Sequence, residues 1–159
     1  MKRSVFLFLV FLLFLSVSIY PKNTEKKSRR EKTRVAILPF SIDGNLEKSF
    51  ANVMFENFCN VMINGDLYSV VERGQIDKAL NELKFQRGDI FDDSQAAQLG
   101  KMAGAQIVVL GNVSYAIGKY HFNIRGIDVT TGIAAFGKQL QSKREDILLY
   151  KVRKLAKKW

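Results

Sequence analysis

Asp89, Asp92 and Asp93 form the tightest acidic group in the chain. Clustered carboxylates are what a divalent cation or a general acid–base pair requires. Asp92 stands three residues before Gln95, a capping-box spacing, so helix capping accounts for two of the three aspartates more simply than metal binding. The chain holds one histidine and one cysteine. His121 lies between Tyr120 and Phe122 in an alternating stretch, which reads as a solvent-facing or hydrogen-bonded strand residue rather than a general base. Cys59 sits among Phe55, Phe58 and Met62; a lone cysteine forms no intrachain disulfide, and these neighbours give it a packing role. A small enzyme would have to gather Asp89, Asp93 or His121 in one pocket. There is no Gly-x-Ser-x-Gly elbow and no phosphate loop, and Gly100 and Gly104 precede a strand, the reverse of the dinucleotide-binding order. Asn112-Val113-Ser114 matches a glycosylation acceptor by chance and carries no weight. The expectation is therefore no enzyme, with no catalytic, cofactor-binding or metal residues and no cofactor. One polar pair remains, Glu72-Arg73, where Arg73 is expected to donate to backbone carbonyls or to Glu82 in an architectural role.

The elements that carry these residues follow from apolar spacing. Arg34 to Phe40 is a continuous apolar run ending at Pro39, a buried first strand, and Ser41 to Asn45 reads as a loop turning at Asp43-Gly44. Leu46, Phe50, Val53, Met54, Phe58, Val61 and Met62 share one helix face, with Gly65 placed to close the helix in the left-handed conformation. Leu67 to Val71 is a second strand, and Gln75 to Gln86, ending near Gly88, a second helix. A third helix begins at Asp92 and lines up Ala96, Leu99, Gly100 and Ala103; Gly100 lets it lie close to a sheet, and Gly104 hands the chain to a strand from Gln106 to Val113. Tyr120, Phe122 and Ile124 alternate with His121, Asn123 and Arg125, and the pattern shifts phase at Gly126, which suggests a bulge. Thr130-Thr131-Gly132 reverses the chain into Ile133 to Leu140. From Asp146, Leu148, Val152, Leu155 and Trp159 lie along one side of a basic helix, with packing on the sheet, a membrane surface or a partner as its open uses. These elements define an α/β fold: a single domain with a mixed β-sheet of about five strands, strand-helix-strand-helix-helix and then a three-strand meander, with helices on at least one face.

The two ends differ from this middle. Met1-Lys2-Arg3, the apolar stretch Val5 to Val17 and small residues at Ser16-Val17-Ser18 have the outline of a secretory signal. The expected organisation is 1–18 signal peptide, 19–33 basic flexible linker, 34–142 α/β domain and 143–159 basic amphipathic helix. The formal charge of +10 divides into +2 in the leader, +5 over Pro21 to Arg34, −2 over Val35 to Ser142 and +5 over Lys143 to Trp159. The folded middle is slightly acidic, so no nucleic-acid face is expected, and anionic membrane surfaces or acidic wall polymers suit the basic ends better.

The ordered set Arg34-Val35-Ala36-Ile37-Leu38-Pro39-Phe40, Val70-Val71-Glu72-Arg73, Leu80-Asn81-Glu82, Leu99-Gly100-Lys101-Met102-Ala103-Gly104-Ala105 and Val109-Leu110-Gly111-Asn112-Val113 resembles the CsgG-like superfamily of bacterial envelope proteins involved in curli assembly. The resemblance implies an exported, non-enzymatic assembly or secretion-accessory module, periplasmic or outer-membrane-associated, acting through contacts with envelope proteins and open to homo-oligomerisation. Many relatives carry a lipid-anchoring cysteine after the apolar run, where this chain has Ser18-Ile19-Tyr20-Pro21, so it is not expected to be a lipoprotein. Some relatives form ring-shaped channels through hairpins inserted between core strands; the tight links at Ala116 to Gly118 and Thr130 to Gly132 leave no room for such hairpins. A second reading implied by the same resemblance is a periplasmic adaptor that binds and regulates a cell-wall or envelope enzyme.

Overall fold

The apolar run that opens the domain becomes strand β1, Thr33–Ile37. In the computed structural model, which describes residues 31–85 and 90–159, Lys32 to Trp159 forms one compact unit. The signal segment, nearly all of the linker, and Gln86, Gly88 and Asp89 lie outside the described residues. After β1 come β2, Ser41–Asp43; helix α1, Lys48–Ile63; β3, Tyr68–Val70; α2, Arg73–Glu82; α3, Asp93–Met102; β4, Ile107–Ala116; β5, Lys119–Asp128; β6, Ala134–Ser142; and α4, Glu145–Ala156. The sheet runs β3-β1-β4-β5-β6, with β2 also paired to β4. β1 is parallel to β3 and β4, and the β4-β5-β6 meander is antiparallel. It is the mixed α/β sheet the sequence predicts, with one more strand.

That extra strand corrects the expected loop from Ser41 to Asn45. Val35 to Ile37 pair with Ile107 to Val109, and Ser41 to Asp43 pair with Asn112 to Ser114 on the same β4. Between these paired ends the three residues Leu38, Pro39 and Phe40 thus oppose only two on β4, Leu110 and Gly111, and the extra one falls in the Leu38-Pro39-Phe40 segment. Proline lacks the N–H that the ladder needs, so pairing breaks there and resumes one residue out of step. The Phe40 ring turns inward over Gly111, where a Cβ would stand 2.3 Å from it.

Helices cover both faces of the sheet. On one side α1 and α4 bury Met54, Phe58, Leu148 and Val152 against Val35, Ile37, Val109, Phe122 and Ile124. On the other, α2 and α3 bury Ile76, Leu80, Ala96 and Leu99 against Ala36, Leu38, Val108, Leu110 and Ile127. The phase shift at Gly126 has its cause here. β5 stays in register with β4 throughout, and Ile127 belongs to the face beneath α3, whereas His121, Asn123 and Arg125 on that same face lie beyond the cover of α2 and α3. A bulge is present at this point, in the β5–β6 pairing, where Gly126 opposes Phe136 and Ile127 opposes Ala134, leaving Ala135 as the extra residue of β6.

Helix ends follow local chemistry. Asp92 and Gln95 make the reciprocal capping box, with Gln95 N–H donating to Asp92 Oδ1 at 2.8 Å and Asp92 N–H donating to Gln95 Oε1 at 3.1 Å. Gly104, at φ +65°, closes α3, and Ala105 N–H donates back to the Gly100 carbonyl at 2.8 Å. Gly65 does not take the left-handed conformation expected of it; α1 ends at Asn64, in ordinary right-handed geometry. α2 begins two residues earlier than expected and ends at Glu82 rather than Gln86, because Lys84, at φ +58°, makes the left-handed closure itself. The amphipathic tail helix packs on the core: Leu148 and Val152 are fully buried, and the Trp159 ring stands edge-on to Phe136 and Phe58 at centroid distances of 4.2 and 5.8 Å.

Candidate functional site

Of the acid–base candidates, the two that are described, Asp93 and His121, stand on different elements, α3 and β5. Asp92 is occupied by its helix cap. Asp93, in the first turn of α3, pairs with Arg125 Nε of β5 at 3.1 Å, and Arg125 Nη2 also donates to the Phe91 carbonyl at 2.8 Å. This arginine pins the approach to α3 onto the sheet. His121 lies near the far end of β5, with Nε2 3.3 Å from the Ala116 carbonyl of the hairpin. Asp89, the third aspartate, is outside the described residues. Cys59 is partly buried in α1, and burial, with Glu56 adding to it, pushes its thiol up to about 12. A thiol held neutral is a poor nucleophile. Among the described residues no group of three His, Cys, Asp or Glu side chains is placed to hold a metal ion.

Arg73 corrects a specific expectation. As the first residue of α2 it lies nine residues from Glu82, at the other end of the same helix, a separation of about 13 Å at 1.5 Å per residue. Its partner is instead Glu56 of α1, at 2.6 Å, and its guanidinium also sits 5.7 Å from the centre of the Phe55 ring. Glu82 meets Lys78 at 3.9 Å. The role is architectural, as expected, but it ties α1 to α2 across the edge of the sheet. Sequence spacing gave no sign of this, since the partner lies upstream on another element.

With these polar groups committed to each other, the distinctive features are surfaces. Where α2 and α3 stop, no described helix lies over the sheet face, which is polar there. Ser41, Asn112, Asn123 and Arg125 line a hollow of about 370 Å³ rimmed by Ile90 and Phe91, and Asn112 Nδ2 donates to Ser41 Oγ at 3.0 Å. At the opposite corner, between the C-terminal ends of α1 and α4, a groove of about 850 Å³ is lined by Leu67, Tyr68, Tyr150, Lys154, Lys157 and Trp159 among others. The β4–β5 hairpin turns through only Ile117 and Gly118, both at positive φ. Neither inter-strand link of the meander has the length of a membrane-spanning hairpin.

The described residues thus form a three-layer α/β/α domain whose polar pairs join one element to another. Residues 23–146 match the family described as the curli production assembly/transport component CsgG, and the chain belongs to that family. No curated protein sequence matches it. Among solved structures, it is similar to the C-terminal domain of LpoB from Escherichia coli, with 17% identity, a TM-score of 0.55, and coverage of 70% of this chain and 83% of that one. It is also similar to lipoprotein GNA1162 from Neisseria meningitidis, with 10% identity, a TM-score of 0.58, and coverage of 78% and 96% respectively. At these identities the likeness is one of fold.

Proposed function

We propose that this chain is an exported, non-enzymatic accessory module of the bacterial envelope that acts by docking other envelope proteins. The observation that carries the reading is the family match over 23–146, to a family named for assembly and transport. The leader-like Met1 to Ser18 supports export, and Asp92 and Asp93 are used as a helix cap and as a tie to Arg125 of β5. In this reading the protein is periplasmic or outer-membrane-associated, without a lipid on a cysteine after the leader. The tight hairpin at Ile117-Gly118 favours an accessory to a channel over a channel of its own. The periplasmic adaptor that regulates a wall or envelope enzyme is the second reading, favoured by the uncovered polar sheet face.

Fusing alkaline phosphatase, which is active only outside the cytoplasm, to the C-terminus in a Gram-negative host tests export. An active fusion is expected; an inactive one in cells that express it well overturns the reading. The mass of the exported protein in solution then separates the two roles, because a ring of copies marks assembly and a monomer marks an adaptor.

A further inference from the structure

We propose that the outer face of α4, together with Leu67 beside it, rests on an anionic bilayer surface. This rests on the reading of the chain as an envelope protein and adds to it the surface that faces the lipid. The inner side of α4 is used up, with Leu148, Val152 and Ala156 buried against α1 and the sheet. Its outer side carries Ile147, Tyr150 and Lys154, with Lys157 at its C-terminal cap and Lys158 just beyond, while Lys151 reaches toward β6. Ile147 is 40% exposed and Tyr150 63% exposed, so apolar side chains face water among the lysines. Lys151 donates to the Gln141 carbonyl at 2.8 Å, but Lys154, Lys157 and Lys158 have no carboxylate partner among the described residues. Across the groove from Tyr150, Leu67 is 62% exposed. Amphipathic aromatic and aliphatic side chains ringed by unpaired lysines are the composition that settles at the boundary between lipid headgroups and water.

Two further features favour a bilayer over an acidic protein as the occupant. Lys154 and Lys157 share the rim of the groove with Tyr150 and Leu67, so cationic and exposed apolar side chains meet the same surface. The chain also enters the domain at this corner, where Lys32 Nζ lies 3.5 Å from Asp66. In the sequence, Pro21 to Arg34 has seven Lys and Arg against two Asp and Glu, which adds to the attraction of the chain for an anionic surface. Among the described residues no helix is long and apolar enough to cross a membrane; the contact proposed is peripheral.

The test uses the full chain and reads Trp159, its single tryptophan, which lines the groove beside Lys157. Vesicles of phosphatidylcholine alone, or with phosphatidylglycerol added, carry a nitroxide quencher on some headgroups. Trp159 emission is expected to be quenched on the anionic vesicles at low salt and to recover at high salt, where the attraction is screened. Each lysine near an anionic surface is worth about 1 kcal/mol, or about fivefold, so K154Q/K157Q/K158Q should weaken docking by about 100-fold and lose the quenching. K154R/K157R/K158R should retain it, and circular dichroism checks that both variants stay folded. Unquenched Trp159 on anionic vesicles, equal quenching on neutral ones, or a glutamine variant quenched like the wild type would each overturn the proposal. So would polyglutamate shifting Trp159 emission while anionic vesicles leave it unquenched, since the face would then take an acidic protein segment. The phosphatase fusion reports export independently of lipid binding, so the two readings fail separately.

Discussion

Gly111 and Gly74 show how much a single hydrogen in place of a methyl group depends on its surroundings. Neither has a left-handed backbone. A Cβ on Gly111 would meet three atoms of the Phe40 ring at 2.3, 2.5 and 2.8 Å. That ring cannot retreat, because it packs against Phe55, Phe58 and Phe122 at centroid distances of 5.5, 5.8 and 5.1 Å. Gly111→Ala is therefore expected to destabilise by about 1–3 kcal/mol through overpacking. A Cβ on Gly74, in the first turn of α2, meets nothing within 4 Å, and Gly74→Ala should stabilise by about 0.4–1 kcal/mol by restricting the unfolded chain. Urea titration checks both, and equal signs would show the account of Gly111 to be wrong. Cys59 offers a pH-dependent counterpart. Its thiol is raised from 9.0 to about 12, first by burial and then by Glu56. Below 9 the folded and unfolded chains both keep the proton; between 9 and about 12 only the unfolded chain releases it, so stability falls as pH rises through that window. The stability of the wild type relative to Cys59→Ala should thus be flat below pH 9 and drop above it, and a difference that stays flat up to pH 11 would show the thiol to be exposed. The packing role of this cysteine was legible in the sequence, because Phe55, Phe58 and Met62 share its helix. The partner of Arg73 was not, because Glu56 comes near only when α1 and α2 meet at the sheet edge.

At the scale of elements, what could be read was whatever repeats along one segment. The helix faces from Phe50 to Met62 and from Leu148 to Trp159, the capping box at Asp92 and the apolar strands at Val35 and Val108 all carry their own period. β2 escaped notice because three residues, Ser-Ile-Asp, are too few to show alternation and are polar at both ends. The second helical layer was only hinted at by the phase change at Gly126, since a sheet covered on both faces along part of its length looks, in one dimension, like a strand that slips. The hairpin and the end of α2 hold a testable tension. Ile117 is a β-branched residue at φ +51° and is 98% exposed, and Lys84 holds φ +58° where glycine is the usual residue. The left-handed conformation costs an L-residue roughly 1–2 kcal/mol, and neither side chain is buried in return. Ile117→Gly and Lys84→Gly should each leave the fold unchanged and raise the melting temperature, Ile117→Gly by more, because branching at Cβ crowds the left-handed backbone further. A lowered melting temperature for Ile117→Gly would mean that the isoleucine side chain stabilises the hairpin tip by a contact.

On the scale of the whole molecule, the two core clusters lie on opposite faces of one sheet and share its strands. β1 sends Val35 and Ile37 to one cluster and Ala36 and Leu38 to the other, and β4 divides Val109 and Val108 in the same way. Neither helical layer can detach without exposing strands that the other layer needs buried, so the domain should unfold in a single transition. α4 is part of that unit. Leu148 in α4 and Leu99 in α3 are both fully buried, one in each cluster. Leu148→Ala and Leu99→Ala should each cost about 2–5 kcal/mol, the lost transfer energy plus the cavity left behind. Because the sheet separates the two sites and they belong to different clusters, their effects should add to within about 0.5 kcal/mol. Urea unfolding followed by Trp159 fluorescence reports the α4 side, and circular dichroism reports the whole. In the wild type the two curves should coincide, and in each single variant they should move together. If Leu148→Ala shifted the fluorescence curve while the circular dichroism curve kept its midpoint, α4 would be an independently melting appendage rather than the fourth helix of one cooperative domain.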